Sequence, residues 1–319
     1  MNLEHINRKR YYWIDWVKCI AITLMVWAHI SPLFCNLIFL FHMPLFFMVS
    51  GYLYRRRDVK DDAKSVLFSL LLPYLLYNFI YLLPLPLGGG YQPGYISYIL
   101  LGDQEQLCFL MRPMWFLVVL MMMRLVCSIH LDMKVLMVIC IIITALLNGK
   151  TWGLEDDYFQ WRTTILCLPF WAGGYYLRQL DVMPFLKRQN KKIIVAFGII
   201  LFAAIMFFAR NKDFNVFRCR IGDNLLSFYF ITFSLSTIIM ALCQMLLDRY
   251  SVIIERLSRG TLLILATHLI IFWQIPQLPI PDIFNQLIGL IVVLLTSYFL
   301  IYLSEMFCPV LIGKWTWKK

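Results

Sequence analysis

Long apolar runs alternate with short basic or polar joints along the whole 319-residue chain. Ten runs stand out, at residues 13–33, 36–54, 65–84, 113–129, 131–149, 163–178, 192–210, 224–247, 261–276 and 284–306. Each is roughly long enough to cross about 30 Å of hydrocarbon as a helix, the element that satisfies every backbone polar group internally. The pattern predicts an all-α polytopic membrane protein with about ten transmembrane helices. A basic N-terminal tail (1–12) and a C-terminal tail (307–319) would flank one transmembrane domain (13–306). No small-residue cleavage site follows the first run, so that helix is expected to stay attached.

Composition agrees: 61% of residues are hydrophobic and 15% charged, more apolar side chain than a soluble body of this size can bury. The net charge of +11 raises the question of nucleic acid, and its placement answers it. Threading the ten runs in and out of a bilayer from a cytoplasmic N-terminus puts 22 of the 29 Lys and Arg on the cytoplasmic side. That bias is the positive-inside rule. It predicts cytoplasmic termini and a cell-membrane location, and it makes the basic charge topology rather than a nucleic-acid footprint. The nine cysteines form no CxxC pair and no metal-like spacing with histidine, so no metal is expected. Cys35, Cys108 and Cys219 fall near the outer side, where a disulfide is open. The Gly-rich outer loop, roughly 85–112, is either a connection or part of a lid.

The first run, DWVKCIAITLMVWAHIS (15–31), carries Asp15, Lys18 and His29. Eleven residues of helix make three turns plus about 20°, so Lys18 and His29 share a face about 16 Å apart, half the membrane. Asp15 lies one turn before Lys18 on that face, where the two can pair. Alone, Lys18 reads equally as a snorkelling residue and His29 as a packing hydrogen bonder. Three on one stripe point instead to function, since intramembrane ionisable groups are expensive. The second run, FHMPLFFMVSGYLYRRR (41–57), places His42 at the depth of His29 and ends in Arg55, Arg56 and Arg57, with Lys64 soon after. These arginines are either a topology anchor or a site for a phosphorylated ligand, which arginine binds bidentately. Pro44 can bend this helix, and Ser50-Gly51 permits close helix approach.

At these residues the chain resembles the acyltransferase 3 family of integral membrane acyltransferases. Its first-helix signature, Asp then Arg or Lys, ten residues, then His, reads here Asp15, Lys18, His29, with Lys in the commoner Arg position. FHMPLFFMVSGYLYRRR, LLLPYLLYNF (70–79), MWFLVVLMMMRLV (114–126) and LLILATHLIIF (262–272) are similar to further blocks in the same order. The nearest branch contains fucose O-acetyltransferase-like proteins. The resemblance implies transfer of an acyl group, usually acetyl from acetyl-CoA, to a sugar hydroxyl outside the cytoplasm. The family commonly spaces further arginines after Ser-Gly; this chain compresses them into Arg55, Arg56, Arg57 and Lys64.

These expectations give the residues roles. His29 is the general base or an acyl-carrying nucleophile. Asp15 orients Lys18, which meets the donor phosphates with Arg55, Arg56, Arg57 and Lys64. His42, Ser50 or an amide near Pro44 serves the oxyanion. Trp115 is either an interfacial aromatic or a sugar platform, and His268 either packs or lines the pore. Arg218 and Arg220, basic against the outer trend, are solvated or face an anionic acceptor. Glu155-Asp156-Asp157 reads as a solvated run, and His5 and His130 receive no role. A transporter or flippase of a glycan precursor is the rival reading, though no inverted repeat supports it.

Overall fold

The computed structural model describes residues 10–83, 90–129, 131–147, 157–209, 214–222 and 224–314. His5, Arg8, Lys9, Gly88, Gly89, His130, Lys150, Glu155, Asp156, Arg210, Lys212, Lys318 and Lys319 lie outside them. The described chain is helical almost throughout: α1 (Tyr12–Ile30), α2 (Cys35–Leu53), α3 (Val59–Val66), α4 (Leu72–Tyr81), α5 (Tyr95–Leu101), α6 (Trp115–Ser128), α7 (Met133–Leu147), α8 (Trp161–Gln179), α9 (Val182–Lys187), α10 (Lys191–Ala209), α11 (Leu225–Leu246), α12 (Val252–Arg259), α13 (Thr261–Trp273) and α14 (Asp282–Phe307). A two-stranded ribbon, β1 (Phe214–Asn215) and β2 (Arg220–Ile221), precedes α11.

Each of the ten predicted runs falls largely within helix. Five stretches, Tyr12–Ile30, Cys35–Leu53, Val59–Tyr81, Leu225–Leu246 and Asp282–Phe307, are by themselves long and apolar enough to cross a membrane. The apolar helices Met133–Leu147 and Thr261–Trp273 are shorter. Large hydrophobics such as Ile193, Phe197, Ile200, Leu295 and Phe299 stand exposed on α10 and α14, as side chains facing lipid do.

Local chemistry sets the element ends. α1 stops where Ser31 adopts extended dihedrals before Pro32, because a following proline disfavours the helical region. α3 runs into α4 through one π turn, Leu67–Leu71, directly ahead of Pro73, whose missing N–H disturbs the regular ladder. Asn224 caps α11 by accepting from the Ser227 amide at 3.1 Å, filling one orphan donor.

Two hydrophobic clusters share α1 and α6. One joins them to α2, α7, α8 and α11, the other to α4, α13 and α14. Phe46 of α2 and Phe116 of α6 pack against both, so α1, α2 and α6 form the seam between the halves. The tightest crossing is α2 on α8. A Cβ on Gly51 would stand 1.8 Å from the Trp171 carbonyl oxygen, and one on Gly174 would stand 1.9 Å from the Met48 oxygen. Only glycine permits this approach, the close backbone packing expected of Ser50-Gly51.

Candidate active site

Two cavities open along the seam, one at each end of the α1 stripe. The first, about 250 Å³, is lined by His29, His42, Met43, Trp115, Arg112 and Arg218 among others. The second, about 290 Å³, is lined by Lys18, Ser50, Tyr54, Arg55, Arg57 and Arg124 among others. Phe46 and Phe116 border the second cavity, one turn along α2 from Met43 and one residue along α6 from Trp115, which border the first. Their rings lie 5.8 Å apart, placing an aromatic pair between the two spaces.

The histidines share one hydrogen-bonding pattern. His29 Nδ1 lies 2.8 Å from the Met25 carbonyl, and His42 Nδ1 lies 2.7 Å from that of Ile38. His268 Nδ1 lies 3.1 Å from the Ile264 and 2.9 Å from the Leu265 carbonyl. A carbonyl only accepts, so each Nδ1 carries the hydrogen and each neutral ring keeps a lone pair on Nε2. His29, half-buried, therefore offers the cavity a base. Its ring contacts those of Phe39 at 5.5 Å and His268 at 5.0 Å, which hold it in place. The same pattern bears on the role expected of His42. It lines the cavity, but its donor is committed to Ile38, leaving an acceptor where an oxyanion requires a donor. His268 is buried behind His29 rather than on the wall, and its Nε2 has no hydrogen-bond partner among the described residues. Ser50, the other side-chain candidate for the oxyanion, lines the other cavity.

Trp115 stacks on Phe217 at 5.5 Å with ring planes 29° apart, so the ribbon segment Asn215–Arg218 folds over the first cavity. Arg218 lines it and donates to Glu105 at 2.8 Å. Arg220 sits on β2, exposed and outside the lining. Arg112, given no site role by the sequence, also lines the cavity and donates to the carbonyls of Leu107 at 3.3 Å and Glu105 at 3.4 Å. Its position before the Pro-Met-Trp-Phe block was the available signal.

At the basic end, the five predicted phosphate ligands divide. Lys18, Arg55 and Arg57 line the second cavity. Arg56 turns away to the Leu131 carbonyl at 3.1 Å, and Lys64 is exposed outside the lining. Asp15 and Lys18, expected to pair, share no direct hydrogen bond, although the carboxylate charge still acts on the ammonium. Asp15 accepts from Arg10, which precedes α1, at 2.9 Å and from Ser258 of α12 at 2.7 Å. The Lys18 ammonium is thereby left facing the cavity. On α12, Glu255 pairs with Arg10 and Arg259. Burial acts to raise the Glu255 carboxyl, but Tyr250 and these two arginines outweigh it and hold it below the usual range.

The chain matches the family model for an acyltransferase domain over residues 11–305, which takes in both cavities. No curated protein and no solved structure matches it. With its apolar helices and this match across nearly its full length, the chain belongs to the acyltransferase 3 family and is a multi-pass membrane acyltransferase.

Proposed function

We propose that the protein is an O-acyltransferase that moves an acyl group, acetyl above all, from cytoplasmic acyl-CoA to a sugar hydroxyl of an extracytoplasmic polysaccharide or lipid-linked glycan, in the manner of the fucose O-acetyltransferase-like branch. The observation that carries this reading is the pairing of the two cavities. A cationic space holding Lys18, Arg55 and Arg57 stands at one end of α1, and a histidine- and aromatic-lined space stands at the other. With about ten spans and both termini in the cytoplasm, the basic cavity faces the donor and the histidine cavity faces the acceptor. Carrying a whole CoA through lipid would be prohibitive. Its phosphates stay at the basic end while the thin pantetheine arm passes Phe46 and Phe116 toward His29.

The acceptor hydroxyl then gives its proton to His29 Nε2 as its oxygen bonds to the thioester carbon. The tetrahedral oxyanion collapses, the C–S bond breaks, and the sulfur leaves as thiolate, which takes the proton back from the imidazolium. Trp115 and Phe217 present an aromatic wall on which a sugar ring can stack. An acyl-His29 intermediate would use the same lone pair. Mass spectrometry of surface glycans from cells with and without the protein tests the reaction. Loss of an acetyl-sized increment supports it; identical glycan masses, with the protein present in the membrane, contradict it.

A further inference from the structure

Resting on the donor reading of the basic cavity, we infer that Asp62 is a positioning residue of the donor site, fixing Arg124 so that its free guanidinium edge meets a phosphate of the acyl donor. Asp62 lies in α3, on a helix turn whose other charged residues, Lys60, Asp61 and Lys64, are exposed. Its own side chain is 1% exposed. A buried carboxylate is tolerated when paired and hydrogen-bonded, and Asp62 has both. Arg124 Nη2 of α6 donates to its Oδ1 at 2.9 Å, and Tyr54 Oη donates to its Oδ2 at 2.9 Å.

The arrangement differs from a simple tie between α3 and α6. Arginine meets a lone carboxylate with two parallel N–H groups. Here Tyr54 occupies the second oxygen, so Arg124 is held through one nitrogen. Its Nε is buried without a hydrogen-bond partner among the described residues. Both groups held by Asp62, Tyr54 and Arg124, border the cavity that also holds Lys18, Arg55 and Arg57. Lys18, Arg55 and Arg57 border it on long, rotatable side chains, whereas Arg124 is anchored from behind. An anchored guanidinium loses less entropy when it grips a phosphate than a free one does.

The test uses the full-length protein in detergent or nanodiscs, with acetyl-CoA for kinetics and CoA for binding. Asp62→Asn keeps shape and removes the charge that holds Arg124. Arg124→Lys keeps a cation for Asp62 and removes the spare N–H groups. Each is expected to raise the KM for acetyl-CoA and the Kd for CoA about tenfold, as loss of one charge-assisted hydrogen bond does, with kcat within about twofold. Arg124→Lys should also keep the wild-type melting temperature, which separates donor grip from folding even if Asp62→Asn folds poorly. A lowered melting temperature with unchanged Kd in both variants would show a structural tie only and overturn the inference. Wild-type protein that binds no CoA overturns the donor reading and this inference with it; wild-type binding that both variants retain overturns this inference alone.

Discussion

Substituting Gly51 with alanine should damage stability and catalysis together. A methyl there would stand 1.8 Å from the Trp171 oxygen, and real contacts essentially never fall below 3.0 Å. The neighbouring backbone must retreat by at least 1.2 Å, and a carbonyl in α8 cannot swing aside as a side chain can. Overpacking costs roughly 1–3 kcal/mol, and the backbone obstacle puts this case near about 3 kcal/mol. α2 carries His42 and Met43 into one cavity and Phe46, Val49 and Ser50 into the other. Its displacement moves walls of both, and a shift of ~1 Å at a reacting centre can lower turnover ~100-fold. Thermal unfolding in detergent, followed by size-exclusion chromatography, measures the first effect; acyl transfer at saturating donor measures the second. Gly174→Ala meets the reciprocal obstacle at Met48 and should behave alike, and the double variant should lose less than the sum because the contact is shared. Gly198→Ala is the control. Its Cβ would meet side chains alone, Ile238 at 3.2 Å and Leu242 at 3.8 Å, which can give where backbone cannot, so better helix propensity leaves it neutral or stabilised. A Gly51→Ala protein that melts and turns over like wild type would refute the close-packed α2–α8 crossing.

Other expectations follow from the same geometry. Arg57→Ala should raise the Kd for CoA about tenfold, the scale of a charge-assisted hydrogen bond, whereas Arg56→Ala, pointing at Leu131, should change it by less than about twofold; calorimetric titration separates the two. Asp15→Asn should lower stability by about 1–2 kcal/mol through the Arg10 and Ser258 contacts and leave the donor KM close to wild type, read from melting curves and initial rates. Because Glu255 is held below the ordinary carboxylate range, its ion pairs contribute fully above about pH 4.3 and are lost as pH falls through the lower folded value. Its partners Arg10 and Arg259 are about a third exposed and screened by solvent, so the effect stays under about 1 kcal/mol; melting temperature against pH should show it, and Glu255→Gln should flatten that slope.

Much of this was legible in the chain because helical phase is strict. The eleven-residue spacing put Lys18 and His29 on one stripe, and the apolar runs marked the helices. Asp62 was not legible as a buried group, because it sits among Asp58, Lys60, Asp61 and Lys64 and reads as part of a solvated turn. Its one clue was its (i, i+4) relation to Val66, the other buried position of α3. Arg124 lies near the end of its apolar run, 62 residues from Asp62 in sequence, and only the packing of α3 on α6 brings the two together. The cover over the histidine cavity depends on contacts between Trp115 and Phe217 and between Arg218 and Glu105, which join segments about a hundred residues apart and leave no local pattern. The tautomer logic that makes His42 an acceptor at Nε2 also needed a carbonyl position that no sequence states.

The most direct test of the central claim compares His29→Ala with wild type for CoA binding and for acetyl transfer to a glycan acceptor in the same preparation. The Lys18 cavity lies about 16 Å from His29 along α1, so binding should stay within about twofold while transfer falls ~100-fold or more. Transfer near the wild-type rate would contradict the account.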